Sequence, residues 1–154
     1  MANIAETGTI GTIVEVAEYG TSVYNSFVCN EGAIDIDWGT QDENTFTCLA
    51  TGEERTVLGA NKYKEQTFEY VWTQALTNAA DTTIRNAKIA TNIEDKKVNF
   101  RVTMNNKTGA ETSGTIYVIP FIVKGYVHKG EKGGVWKTEA TIKQIGIPVE
   151  TSAA

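Results

Sequence analysis

Gly114-Thr-Ile-Tyr-Val-Ile-Pro-Phe-Ile-Val-Lys-Gly-Tyr-Val127, then His128-Lys-Gly-Glu-Lys-Gly-Gly134, then Val135-Trp-Lys-Thr-Glu-Ala-Thr-Ile-Lys-Gln-Ile-Gly-Ile-Pro148 is the stretch whose reading decides the fold. Two β-rich runs flank a Gly- and Lys-rich segment, and that combination predicts a hairpin. In the second run Trp136, Thr138, Ala140 and Ile142 alternate with Lys137, Glu139, Thr141 and Lys143. A half-buried antiparallel strand has this pattern, because successive side chains leave opposite faces. The first run is apolar on both faces from Tyr117 to Val123, so both of its sides need cover. Pro120 sits inside it with no N–H to give a ladder, which predicts a bulge, a bend or a free edge there.

Working outward, Val98, Phe100, Val102 and Met104 alternate with polar neighbours, and Asn105-Asn-Lys-Thr-Gly109 turns that strand into the Gly114 run. Upstream, Asn78 offers a helix N-cap, and Ala80, Ile84, Ala87 and Thr91 share one helical face, predicting a helix over 79–90. Asp81 lies in its first turn, one turn from Arg85, where a surface ion pair is expected. Ile89 falls off the apolar face. Before the helix, Gln66–Thr73 alternates with Phe68, Tyr70 and Trp72 on one side, a strand whose aromatics read as core rather than a sugar-stacking platform.

The N-terminal third is less patterned. Residues 1–8 read as an arm, Thr9–Tyr19 as a strand, Ser22–Cys29 as a short second strand, and 30–32 as a turn. Ala33-Ile-Asp-Ile-Asp-Trp-Gly-Thr40 alternates again, placing Asp35 and Asp37 on one face of a strand. From Trp38 to Lys64 the chain is acidic and glycine-punctuated and reads as a long loop, with weak pairing of 45–49 and 54–58 around Gly52. One domain spans 1–154, ending in a short tail over 149–154. The whole is mostly β: an antiparallel sandwich or half-open barrel with one flanking helix.

Composition is that of a soluble globular protein, 41% hydrophobic and 21% charged. No run reaches the roughly 20 apolar residues of a membrane helix, and no secretory leader is visible, so a cytoplasmic origin and no membrane partner are expected. Residues 1–60 carry ten acids against the single base Arg55, while residues 61–154 carry nine acids and thirteen bases. That asymmetry is either a solvated acidic surface or the complementary halves of a head-to-tail contact. A direct grip on nucleic acid needs clustered Lys and Arg and is disfavoured.

Catalytic chemistry is hard to place. The single histidine, His128, lies in a turn as a solvated group, and no nucleophile elbow, phosphate loop or dinucleotide fingerprint occurs. Cys29 and Cys48 read as two partly buried apolar side chains rather than a disulfide or a metal site. Asp35 and Asp37 have the spacing of a glycosidase pair, and Asp42 with Glu43 could extend them toward calcium, but EF-hand spacing is missing. No catalytic residue, metal or cofactor is expected.

Taken in order, four features resemble the major tail tube proteins of long-tailed bacteriophages. Ala33-Ile-Asp-Ile-Asp-Trp-Gly-Thr40 opens an acidic loop; Leu58-Gly-Ala-Asn-Lys62 leads into Gln66-Thr-Phe-Glu-Tyr-Val-Trp72; a helix precedes Val98-Asn-Phe-Arg-Val102; and Gly125-Tyr-Val127 turns into Lys137-Thr-Glu-Ala-Thr-Ile142 and Ile145-Gly-Ile-Pro148. The resemblance covers residues 30–148. It implies a β-sandwich with a flanking helix, assembled in six-fold rings that stack into a tube through which DNA passes without specific binding. It further implies ring and stack contacts between copies, and contacts with tape measure, terminator and distal tail proteins. The location implied is the virion tail, assembled in the host cytoplasm. The long loop becomes the stacking element, carrying Trp38, Asp42, Glu43, Glu53, Glu54 and Arg55. Glu15 and Glu18 become candidates for the bore, where acids let DNA slide. The few residues after Pro148 imply no second exposed domain. Physics supports multiplicity: a duplex-wide bore needs more than the roughly 16 strands that leave an aqueous channel, and this chain offers about half of that. A tail terminator or decoration protein of related fold is the alternative, as is a carbohydrate-binding adhesion module built on Trp72 or on Asp35 and Asp37.

Overall fold

A computed structural model describes residues 11–27, 29–30, 32–72, 78–130 and 132–154. The N-terminal arm, Glu31 of the 30–32 turn and the residues just before the helix lie outside these, as does the side chain of the proposed cap Asn78. Nine strands and one α-helix are present among the described residues: β1 Ile13–Glu18, β2 Asn25–Ser26, β3 Thr40–Thr47, β4 Glu54–Lys62, β5 Glu65–Val71, α1 Asn78–Ile89, β6 Lys97–Thr103, β7 Ile116–Gly130, β8 Trp136–Gln144 and β9 Val149–Thr151. A 3₁₀ turn, Ile93–Lys96, joins α1 to β6 and is capped by Asn92, whose side chain accepts from the Glu94 N–H.

Seven strands form one antiparallel sheet in the order β2-β1-β6-β7-β8-β5, with β9 added to β7. The predicted meander is β6-β7-β8, and in β8 Thr138, Ala140 and Ile142 are buried as expected, whereas Trp136, read onto the same face, lies at the start of the strand and is exposed. The long strand β7 has two neighbours on one side: β9 pairs Ile116–Val118, and β8 takes over at Phe121. Pro120 stands at the seam, where its missing N–H costs no ladder bond. The irregularity that Pro120 predicted comes instead between Val123 and Gly125. The tail likewise differs from expectation: β9 is a sheet strand, and the Ala154 carbonyl accepts from the N–H groups of Thr112 and Ser113. At the entry to β7 a glycine is required, because a Cβ on Gly114 would stand 2.0 Å from the Met104 carbonyl oxygen.

The sheet curls into a half-barrel until its ends meet. Val71 N–H donates to the Cys29 carbonyl at 2.9 Å, and Phe27, just past β2, packs against Phe68 and Tyr70 of β5 with ring centroids 4.9 and 4.7 Å apart. Phe100 and Phe121 continue this aromatic centre. Helix α1 covers it with Ala80, Ile84 and Ala87, the face that the spacing predicted, while Ile89 points to solvent. Asp81 does not form the expected surface pair. It is 1% exposed and accepts hydrogen bonds from Tyr70 Oη at 2.6 Å and Tyr126 Oη at 2.7 Å. Burial first, then the bond to Asp81, pushes both phenols far above their ordinary values. This polar tie locks the helix onto β5 and β7.

Candidate assembly surface

The segment read as a long loop is a β-hairpin. Strands β3 and β4 pair antiparallel as a separate two-stranded sheet, closed by a turn in which Cys48 N–H donates to Glu53 O and Gly52 N–H to Cys48 O. The weak pairing expected around Gly52 therefore extends over the whole segment from Thr40 to Lys62. Alternation missed it because neither face is buried: every residue of β3 is exposed. A lone two-stranded hairpin is marginal in water. This one is a bare arm.

Its side chains are mixed. Phe46 and Val57 share one face as diagonal neighbours, Leu58 lies on the other, and Leu49 at the tip is 99% exposed. Of the residues assigned to stacking, Asp42 is ion-paired with Lys62 across the hairpin, Glu43 stands opposite Leu58, Glu54 opposite Thr47, and Glu53 is 3.8 Å from Arg55. All of them are on the arm except Trp38, which sits at its root with its ring edge-on to Tyr117.

What aims the arm is a polar clamp at its base. Residues 33–39 are not a strand, so the expected common face of Asp35 and Asp37 does not exist. Instead Asp37 holds both feet of the hairpin: Oδ1 accepts from Gly39 N–H at 2.9 Å and Oδ2 from Lys64 N–H at 2.9 Å. Gly39 has a φ of 90°, a conformation open to glycine, and a Cβ there would crowd Tyr63 and Asn61. Gln144 of β8, 1% exposed, donates to the Asp37 carbonyl and accepts from the Asp37 N–H. Lys64 Nζ bonds Asp35 at 2.6 Å, and the Gln66 amide bonds both the N–H and the C=O of Asp35. The two backbone donors at Lys64 and Gly39 hold the Asp37 carboxyl below the usual aspartate range. Asp35 and Asp37, the pair that a glycosidase or calcium reading would use, are thus engaged in fixing the arm. An open recess of about 740 Å³ beside them is lined by Asp35, Asp37, Thr40, Lys62, Tyr63 and Lys64.

The bore candidates are separated by the fold. Glu15 makes a bidentate pair with Arg101, at 3.0 and 2.8 Å, and the Arg101 guanidinium lies 4.1 Å over the Tyr24 ring. Its charge is neutralised locally. Glu18, at the end of β1, is exposed and borders a cleft of about 260 Å³ with Tyr19, Glu94, Asp95 and Lys97. Of the cysteines, Cys48 is half-buried, while Cys29 is exposed rather than packed. His128 is exposed as expected, but it stands in strand β7 opposite Thr138 rather than in a turn: its Nδ1 is 2.9 Å from Thr138 Oγ1, and its ring meets Tyr126 and Trp72 edge-on. Trp72 lies beyond the end of β5 and is 38% exposed, so only Phe68 and Tyr70 of that predicted face are core.

The clamp was not readable from sequence, since Asp37 and Gln144 are 107 positions apart. The only local hint was the Asp37–Gly39 turn chemistry.

No family model matches the chain, and no curated protein matches it. Solved structures do. The sheath/tube terminator of the PVC extracellular contractile injection system superposes with a TM-score of 0.64 at 13% identity, covering 98% of this chain and 100% of that one. The tube-terminating cap of the anti-feeding prophage gives 0.62 at 14% identity, covering 99% and 95%. The SPP1 tail tube gives 0.58 at 11% identity, covering 94% and 80%. At these identities the likeness is one of architecture: the chain has the tail-tube-like fold that these tube and terminator proteins share.

Proposed function

We propose that this chain is a structural subunit of a phage-like tail, closing into rings with its own copies, six-fold by resemblance, and stacking into a tube that conducts DNA. One observation carries the reading: a half-barrel with a finished core extends a two-stranded arm that has no core of its own. Such an arm leaves apolar side chains and strand edges uncovered, and identical neighbours are the economical cover. The tail-tube-like fold supports the same reading. Its partners are other copies and the remaining tail components, its place is the virion, and it has no catalytic task.

A second reading, a tube terminator, is favoured by the two higher superpositions, both to terminating proteins and both nearly full-length. Growth separates the two. Negative-stain microscopy and sedimentation of the purified chain over a concentration series should give rings that elongate into tubes. Single rings that never elongate would favour the terminator. A strictly monomeric species, even when a tail initiator is supplied, would overturn both.

A further inference from the structure

The one histidine stands at the outer end of a buried polar chain. Thr138 of β8 lies opposite Tyr70 of β5 on one side and opposite His128 of β7 on the other. It is fully buried, and its Oγ1 is 2.9 Å from His128 Nδ1. The same hydroxyl hydrogen-bonds the phenols of Tyr70 and Tyr126, and both phenols converge on Asp81 Oδ1 of α1. A path of hydrogen bonds therefore runs from a buried carboxylate, through Tyr70 or Tyr126 and Thr138, to an imidazole at the surface.

The proton directions along this path are set from its buried end. A carboxylate only accepts, so both phenols direct their single protons at Asp81 and keep their oxygens as acceptors. Beside them Thr138 is favourable only as a donor, and its one proton points to a phenol rather than to His128. The Thr138 oxygen is left to accept, so His128 donates through Nδ1–H. The network thus assigns the neutral ring its proton on Nδ1 and leaves Nε2 as the acceptor. That outer part of the ring lines a recess of about 220 Å³ with Trp72 and Trp136.

Protonation at Nε2 then adds a positive charge without turning any buried hydroxyl. The new charge sits at the donor end of a chain that finishes on a negative one. On α1, Asp81 favours it, while Arg85, one turn along, acts on Tyr126 as a positive charge and opposes it. From β5 and β8 the side chains on this face are Tyr70, Trp72, Trp136 and Thr138, none of them charged at neutral pH. Glu69, Lys129, Lys137 and Glu139 alternate onto the opposite face of the sheet.

We infer that His128 is a proton-operated latch on helix α1: once charged, it is held by Asp81 through Thr138 and the tyrosine pair, and the tie of α1 to β5 and β7 tightens in mild acid. The latch works within one copy and does not depend on assembly. The folded chain binds this proton more tightly than the unfolded chain does. The stability gained is therefore present on the acid side of the histidine range and is lost as pH rises through it.

Two measurements on the full-length protein test the latch. Nitrogen NMR of the imidazole at about pH 8 should find the proton on Nδ1, and a ring protonated on Nε2 overturns the chain. Urea unfolding at about pH 8 and about pH 5 then compares the wild type with His128→Gln. Acidification should multiply the wild-type folding constant about threefold more than that of the variant, the effect of one charge pair about 8 Å apart in a water-like medium. Thr138→Val keeps the shape and removes the hydroxyl, and Asp81→Asn keeps an acceptor and removes the charge. Each should abolish the excess, and either alone suffices should the other fail to fold. Equal pH responses in the wild type and His128→Gln overturn the latch. So does an excess that survives in either folded variant, because the histidine would then be answering to a group other than Asp81.

Discussion

The half-barrel and the arm are made of the same kind of chain and meet opposite fates. Strand β6, and β8 from Thr138 onward, bury every second residue, whereas β3 is exposed throughout. Both are hydrogen-bonded antiparallel ladders. The barrel strands also bury a shared core of Phe27, Phe68, Tyr70, Phe100 and Phe121 under α1. The arm buries nothing, and a polar clamp of Asp35, Asp37, Lys64, Gln66 and Gln144 does for its orientation what packing does elsewhere. Backbone pairing makes a ladder, and apolar burial makes it stand alone.

That contrast predicts a gradient of stability effects, beginning in the barrel. Phe100→Ala empties the point where Phe27, Phe68 and Phe121 converge and should cost about 3–5 kcal/mol in urea unfolding. A loss under 1 kcal/mol would mean that the barrel is not the stabilising unit. Asp81→Ala comes next. It strips the acceptor from Tyr70 and Tyr126, and the buried Tyr70 hydroxyl then lacks its charged partner, so about 2–3 kcal/mol should be lost. Asp81→Asn should recover part of that loss by keeping one acceptor.

At the junction the effect turns from stability to orientation. Asp37→Ala should leave the unfolding midpoint nearly unchanged, speed amide exchange at Gly39 and Lys64, and reduce assembly. The wild-type clamp should depend on pH. A carboxyl held low stabilises above its ordinary value of 3.8 and loses that contribution as pH falls through its lower folded value. Lys64, raised chiefly by its hydrogen bond to Asp35, contributes below 10.5 and is lost as pH rises through its higher folded value. Protection of the Gly39 and Lys64 amides should thus be flat through neutrality and fall only in strong acid or strong base. A midpoint near pH 6 to 7 would implicate another group.

The smallest change in subunit stability belongs to the arm itself. Deleting Gln41 to Ala60 should leave a folded monomer within about 0.5 kcal/mol of the parent by chemical denaturation, because surface regions without burial contribute little. The same deletion should abolish stacking in electron micrographs. Persistence of tubes would remove the arm from assembly, and collapse of the monomer would show that the arm is part of the core after all.

Much of the barrel was legible beforehand because its information is local. The alternation of Val98 to Met104 and of Thr138 to Ile142 and the helical spacing of Ala80, Ile84 and Ala87 each encode one element and its buried face, and the glycines of 128–134 encode the reversal between two strands. The same logic failed where burial was absent or partners were distant. The arm has strands without a core face, so periodicity had nothing to report and the stretch read as a loop. Asp81 has the position of a surface helix acid, but two tyrosines from β5 and β7 converge on it.

By itself, then, the sequence determined that this protein is an antiparallel β-structure with one covering helix, since side-chain periodicity follows directly from backbone geometry. Only the tertiary structure decided that the segment just past β2 reaches β5 to curl the sheet, that Pro120 falls at a seam between β9 and β8, and that Asp37 and Gln144 fix the base of the arm. Those outcomes depend on which distant residues become neighbours, and chain closure sets that, not any local pattern.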